Sequence, residues 1–70
     1  MNRVSVSSSN IAEIGYSPES GTLEIMFHQG FVYQYFNVPG SVHSALMSAQ
    51  SKGSYFADMI KNSYRCTKVR

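Results

Sequence analysis

Cysteine occurs once in this chain, proline twice and tryptophan not at all. A single thiol, Cys66, closes no internal disulfide. Cys66, His28 and His43 are not spaced as zinc ligands either. The two staples small domains commonly use, disulfides and structural metal, are therefore not expected. Negative charge is also scarce, with Glu13, Glu19, Glu24 and Asp58 the only carboxylates. There is no glycine-rich phosphate loop, and neither histidine has an obvious carboxylate or nucleophile partner in sequence. The chain therefore reads as a non-enzymatic protein with no catalytic residues, metal or cofactor. No apolar run approaches the roughly 18 residues of a membrane span. The opening residues MNRVSVSSSN lack the apolar stretch of a signal peptide, so the expectation is a soluble, intracellular protein.

What is present is a short, mildly basic chain. Its 70 residues imply one domain, 1–70, and a chain of that size buries only roughly 60% of its unfolded surface. With a core that thin and no staple, oligomerisation is the remaining route to stability. The net charge of +2 is modest for a protein that tracks a long phosphate backbone. Lys61, Arg65, Lys68 and Arg70 hold four of the six positive charges and make a basic C-terminal tail from about residue 61. The plain reading of such a tail is a solvated segment.

The stretch from Gly30 to Pro39, GFVYQYFNVP, carries the strongest structural signal. Upstream, Val4 and Val6 alternate with polar neighbours and Ile14 and Tyr16 resume the period, which predicts one strand broken near Asn10. Ser17–Gly21 is a turn, and Thr22–Phe27 then alternates cleanly as a second strand. His28-Gln29-Gly30 suits a three-residue hairpin loop ending in a left-handed glycine. That loop sets Ile25 opposite Tyr33 and Leu23 opposite Tyr35, so both tyrosines join the apolar face. A two-residue turn, the second choice, would put Val32 and Phe36 there instead. In the preferred register Met26, Val32 and Phe36 stand on the outer face with Thr22, Glu24 and Gln34.

Pro39 and Ser41 suit a helix start. Val42, Ala45, Leu46 and Ala49 follow the spacing of a helix lying on a sheet. Gly53 ends that helix, Ser54 caps the next, and Phe56, Met59 and Ile60 form its stripe. The expected fold is α+β, a three-stranded antiparallel meander followed by two short helices on one face, in the order β-β-β-α-α.

In this order and spacing the chain resembles the KTSC domain family, found at the C-terminus of some lysyl-tRNA synthetases and as small stand-alone proteins. The matching residues are Ser8, Ser9, Ile11, Ile14-Gly15-Tyr16, Thr22-Leu23-Glu24-Ile25, Phe27 and Gly30. They continue through the Y-x-Y signature Tyr33-Gln34-Tyr35, Val38-Pro39, Ala49, Ser51, Gly53, Tyr55-Phe56 and Ile60. Ala57 stands where the family commonly has Asn. The resemblance implies an RNA-binding module, by its synthetase context, in a bacterial cytoplasm, or in the host cytoplasm if a phage encodes the protein.

Four groups of residues are candidate ligand contacts. Lys52, Ser54 and Tyr55 combine a helix N-terminus, a charge and a ring, a place for a phosphate and a base; an ordinary helix stop and cap explains the same residues. Ser8, Ser9 and Asn10 offer hydroxyls and an amide, or else a turn that satisfies its own backbone. Lys61, Tyr64 and Arg65, taken at helical spacing, would form a basic and aromatic wall. Tyr33 and Tyr35 are either a stacking platform or core.

The leading functional expectation is a homo-oligomer, joined through Met26, Val32 and Phe36, that binds a small (cyclic) nucleotide. Such a binder could sequester a nucleotide signal, by analogy of size and design with compact viral proteins that do so. The alternatives are RNA binding and a protein–protein interaction module.

Overall fold

The computed structural model describes all residues, Met1–Arg70. Its frame is a five-stranded antiparallel sheet in the order β1-β2-β3-β4-β5. The strands are β1 (Arg3–Ser5), β2 (Ile11–Ser17), β3 (Thr22–Phe27), β4 (Val32–Tyr35) and β5 (Cys66–Lys68). Helices α1 (Gly40–Ser48) and α2 (Lys52–Met59) are inserted between β4 and β5. The α+β class and the two helices agree with the sequence reading, whereas the three-strand count does not. The broken N-terminal strand is a hairpin, with Val4 opposite Ile14. The basic tail from residue 61 is a turn followed by β5, which pairs Cys66 with Tyr35 and Lys68 with Tyr33.

The hairpin between β3 and β4 has the register set by its three-residue loop: Leu23 faces Tyr35 and Ile25 faces Tyr33. Gly30 sits at φ 102°, where a side chain would be strained. The Phe27 N–H donates to the Phe31 carbonyl at 2.9 Å and closes the loop. Ile11, Ile14, Leu23, Ile25 and Tyr35 form the inner face of the sheet, which packs against Val38 and the helical residues Leu46, Phe56 and Ile60.

Tyr16 fixes the start of α1 twice. Its hydroxyl donates to the Val38 carbonyl at 2.6 Å, and its ring stacks on His43 with centroids 4.5 Å apart. Burial under that ring pushes the His43 imidazole pKa down. The packed face of α1 runs through Val42, Leu46 and Met47, and Ala45 is exposed. On α2, Met59 points to solvent, 53% exposed, because the helix ends there.

The outer face differs most from its expected use. Glu24 is only 7% exposed and accepts from Arg3 Nη1 at 2.5 Å and Gln34 Nε2 at 2.8 Å. Arg3 Nε also donates to Glu13 Oε1 at 2.8 Å, so two of the four carboxylates converge on one guanidinium. Arg3 can lie across the sheet because Gly15 is beneath it: a Cβ there would sit 3.0 Å from Arg3 Cγ and 2.9 Å from the Asn2 carbonyl. Val32, expected at an oligomer interface, is 2% exposed. The C-terminal residues cover it, with the Val32 N–H donating to the Arg70 carbonyl at 2.8 Å. Met26 and Phe36 are half-buried.

Candidate functional site

The sheet is wider than the two short helices laid on its inner face. Where α2 ends, at Met59, the aromatic residues of β3 and β4 remain partly uncovered. The result is a groove of about 690 Å³, within the ~300–1,000 Å³ usual for small-molecule sites. Phe27, Phe31, Tyr33, Tyr35 and Phe56 line it. Phe27 meets Tyr33 and Phe56 edge-on, and Phe56 meets Tyr35 edge-on, with centroids 5.4–6.1 Å apart. Such edge-to-face contacts each add about 0.5–1.5 kcal/mol to the packing of the floor. Phe31 is 43% exposed and forms one wall.

The rim is polar and carries no carboxylate: Ser9, Asn10, His28, Gln29, Lys61, Asn62 and the Cys66 thiol. The loop before β2 supplies Ser9 and Asn10, and the β3–β4 loop is tied to it. His28 Nε2 lies 2.9 Å from the Ser8 carbonyl, and the His28 N–H donates to the Asn10 carbonyl at 3.0 Å. Asn10 also packs on α2, where a Cβ at Gly53 would fall 2.5 Å from its Oδ1. Gly53 is therefore a close-approach point in the first turn of α2 and not the expected end of the first helix, since α1 stops at Ser48 and the break falls at residues 49–51. Burial, with the Cys66 and Tyr33 charges adding at high pH, pushes the Tyr35 phenol up to about 12. It remains an uncharged part of the floor at neutral pH.

Of the residues singled out from the sequence, Ser9, Asn10, Lys61, Tyr33 and Tyr35 come together in this groove. Tyr35 is core as well as floor, 4% exposed, and Tyr33 is half-buried. Ser8 is used locally. Its Oγ donates to Asn10 Oδ1 at 3.1 Å and accepts from the Ile11 N–H at 3.3 Å, so this segment satisfies its own backbone.

The Lys52, Ser54 and Tyr55 cluster lies outside the groove and does other work. Ser51, not Ser54, is the cap of α2, its Oγ accepting from the Ser54 N–H at 3.3 Å. Lys52 Nζ donates to the Ala49 carbonyl at 3.0 Å, satisfying the end of α1. Tyr55 and Tyr64 pack against the core. The helical spacing assigned to Lys61, Tyr64 and Arg65 is also corrected, because α2 has ended and these residues span a turn leading to β5. Arg65 is exposed, and its carbonyl accepts from the Phe36 N–H at 2.9 Å.

Sequence reasoning missed Phe27, His28, Gln29, Phe31, Phe56, Asn62 and Cys66 as members of one site. The register of the hairpin placed Phe27 and Phe31 on the inner face. Only the strand character of residues 66–68, which is faint in the sequence, brings Cys66 to the same wall.

Comparison with known proteins accords with this architecture. A KTSC domain protein from Yersinia pestis has a solved structure that superposes with a TM-score of 0.93 at 47% identity, covering 99% of this chain and 97% of that one. A protein of Stutzerimonas stutzeri is 41% identical over 61 residues, 87% of this chain and 86% of its own length. A lysine–tRNA ligase of Nostoc punctiforme is 42% identical over 55 residues, 79% of this chain; the matched region is 10% of the ligase. The family model of the KTSC domain matches residues 7–64, and the chain belongs to the KTSC domain family.

Proposed function

We propose that this protein is a non-enzymatic binder of a small nucleotide, that it works as a homo-oligomer, and that it serves to hold a nucleotide signal out of circulation. The observation that carries this reading is the groove itself. It has an aromatic floor for a base, amides at Asn10, Gln29 and Asn62 for base edges, a cation at Lys61, and no carboxylate to repel a phosphate. Stacking of a base on such rings is worth about 1–3 kcal/mol. The thin core and the half-buried Met26 and Phe36 favour assembly.

RNA binding is the second reading, favoured by the relationship to lysine–tRNA ligases. Against it, Lys68 is on the inner side of β5, whereas Arg70 reaches the outer face, its Nη2 4.0 Å from Met26 Sδ. These cations do not make one continuous track for a polyanion.

Native mass spectra of the protein, alone and mixed with short RNA and a panel of linear and cyclic nucleotides, test the proposal. A discrete oligomer taking up a fixed number of one nucleotide is the expected result. Uptake of RNA alone, or of nothing, overturns it and turns attention to RNA or to protein partners respectively.

A further inference from the structure

One cation beside the groove is held in place by an aromatic ring. Lys68, on β5, has its Nζ 4.3 Å from the centroid of Phe31. Lys68 pairs with Tyr33, on the same strand as Cys66, whose thiol faces the groove. Phe31 is a wall of the groove and is 43% exposed. Lys68 therefore holds its charge at the lip of an aromatic surface. No hydrogen bond or ion pair to a protein acceptor fixes it there. Lys61, the other cation near this surface, is exposed in the turn after α2, and no ring or strand pairing fixes its ammonium.

We infer that Lys68 is the residue by which the groove tells a nucleotide from its nucleoside, its ammonium receiving the phosphate of a ligand whose base stacks beside Phe31. The inference rests on the nucleotide reading above and adds to it a specificity residue. A hydrogen bond to a charged group is worth more than the hold of an exposed ring on a cation, so the exchange of the ring for a phosphate is favourable, and a nucleoside, which has no phosphate, gives no reason for it. Because pairing with β4 already fixes the backbone of the lysine, only its side chain is reordered when the phosphate arrives. Glu13 and Glu24, which would compete for an ammonium, are engaged by Arg3 on the opposite face of the sheet.

The test compares AMP with adenosine by calorimetric titration of the unmodified protein and of Lys68→Met and Lys68→Arg. Methionine keeps the apolar stem and removes the charge, and arginine keeps the charge and stacks on Phe31. Lys68→Met should lower AMP affinity about tenfold, the equivalent of one hydrogen bond to a charged group. Adenosine affinity should stay within about twofold, and Lys68→Arg should retain the preference for AMP. An equal loss for both ligands would make Lys68 a mere support for the Phe31 wall, and unchanged AMP affinity would remove it from recognition. Either result overturns the inference and leaves the groove reading standing. Failure of the unmodified protein to bind either ligand overturns the inference, and the nucleotide panel then decides the groove reading.

Discussion

Replacing Arg3 by methionine should destabilise the fold by about 2 kcal/mol, and the size follows from the outer face of the sheet. The methionine keeps an apolar stem over Gly15, so the loss is that of the guanidinium bonds. The bond to Glu24 is charged and well sheltered, the side-chain exposures being 25% for Arg3 and 9% for Glu24. Its loss alone is worth about 1.5–3 kcal/mol. The bond to Glu13, whose side chain is 32% exposed, adds at most about 1 kcal/mol after solvent screening. Glu24 keeps the Gln34 bond, so the full ~3–5 kcal/mol of a stripped buried ion does not apply. For a domain of this size the change corresponds to a fall in Tm of roughly 8–16 °C.

The pH dependence supplies a second check on the same contact. Burial, the largest single influence on the Glu24 carboxyl, pushes its pKa up. The Gln34 bond, then the Arg3 bond and charge, outweigh that and hold it below the usual glutamate value. A depressed carboxylate stabilises the fold fully above its unfolded pKa, and the contribution is lost as pH falls through the folded one. Urea unfolding of both proteins at neutral pH and in the acid range below the ordinary glutamate value reads both effects. The difference between them should be largest at neutral pH and shrink on acidification. A neutral-pH difference under about 0.5 kcal/mol, or one that grows in acid, would refute the assignment of Arg3 as the partner that makes a buried Glu24 tolerable.

Three further outcomes follow from the geometry. Tyr35, with its phenol pushed up to about 12, keeps a proton in the fold that the unfolded chain releases near its ordinary value of about 10. Stability should be whole below that value and fall as pH rises toward 12; Tyr35→Phe should flatten this alkaline loss, and an identical alkaline profile in the variant would contradict the burial argument. Alkylation of Cys66 by iodoacetamide, followed by mass spectrometry, should be slowed several-fold by a nucleotide occupying the groove; an unaltered rate at saturation would place the ligand elsewhere. Met26→Asp with Phe36→Asp should dissociate the proposed oligomer while circular dichroism remains that of the fold; an unchanged sedimentation profile would move the proposed interface off the outer sheet face.

The central hairpin was legible because its loop and its alternation agree. Gly30 permits the three-residue turn, and that turn puts Phe27, Ile25 and Leu23 on the same face as Tyr33 and Tyr35. The helices were legible in kind and less so in detail. Ser51 and Ser54 are both good caps three residues apart, and only the bond from the Ser54 N–H to Ser51 Oγ decides between them.

Of the two edge strands, β1 was read as the first part of one broken strand and not as a strand paired back on β2, and β5 was missed; each is three residues long and takes its conformation from its neighbour. β1 has one apolar residue, Val4, and its identity comes from pairing with Ile14 and from Arg3 reaching Glu24. β5 reads as a solvated basic tail because Cys66, Thr67 and Lys68 are all exposed. Backbone pairing with β4 and the contact of Lys68 with Phe31 hold it. Missing β5 hid one wall of the groove, to which it contributes Cys66. It also left Val32 as an outer-face residue with nothing over it, when the C-terminal residues in fact cover it.

The most direct test of the aromatic groove as the binding site is an amide and aromatic NMR titration of the uniformly labelled protein with cyclic AMP. The shifts should concentrate on Asn10, Gln29, Phe31, Tyr33, Lys61 and Cys66 and saturate together. Shifts centred instead on Lys52–Tyr55 or on the outer face around Met26 would contradict the groove as the site, and so would no shifts at all.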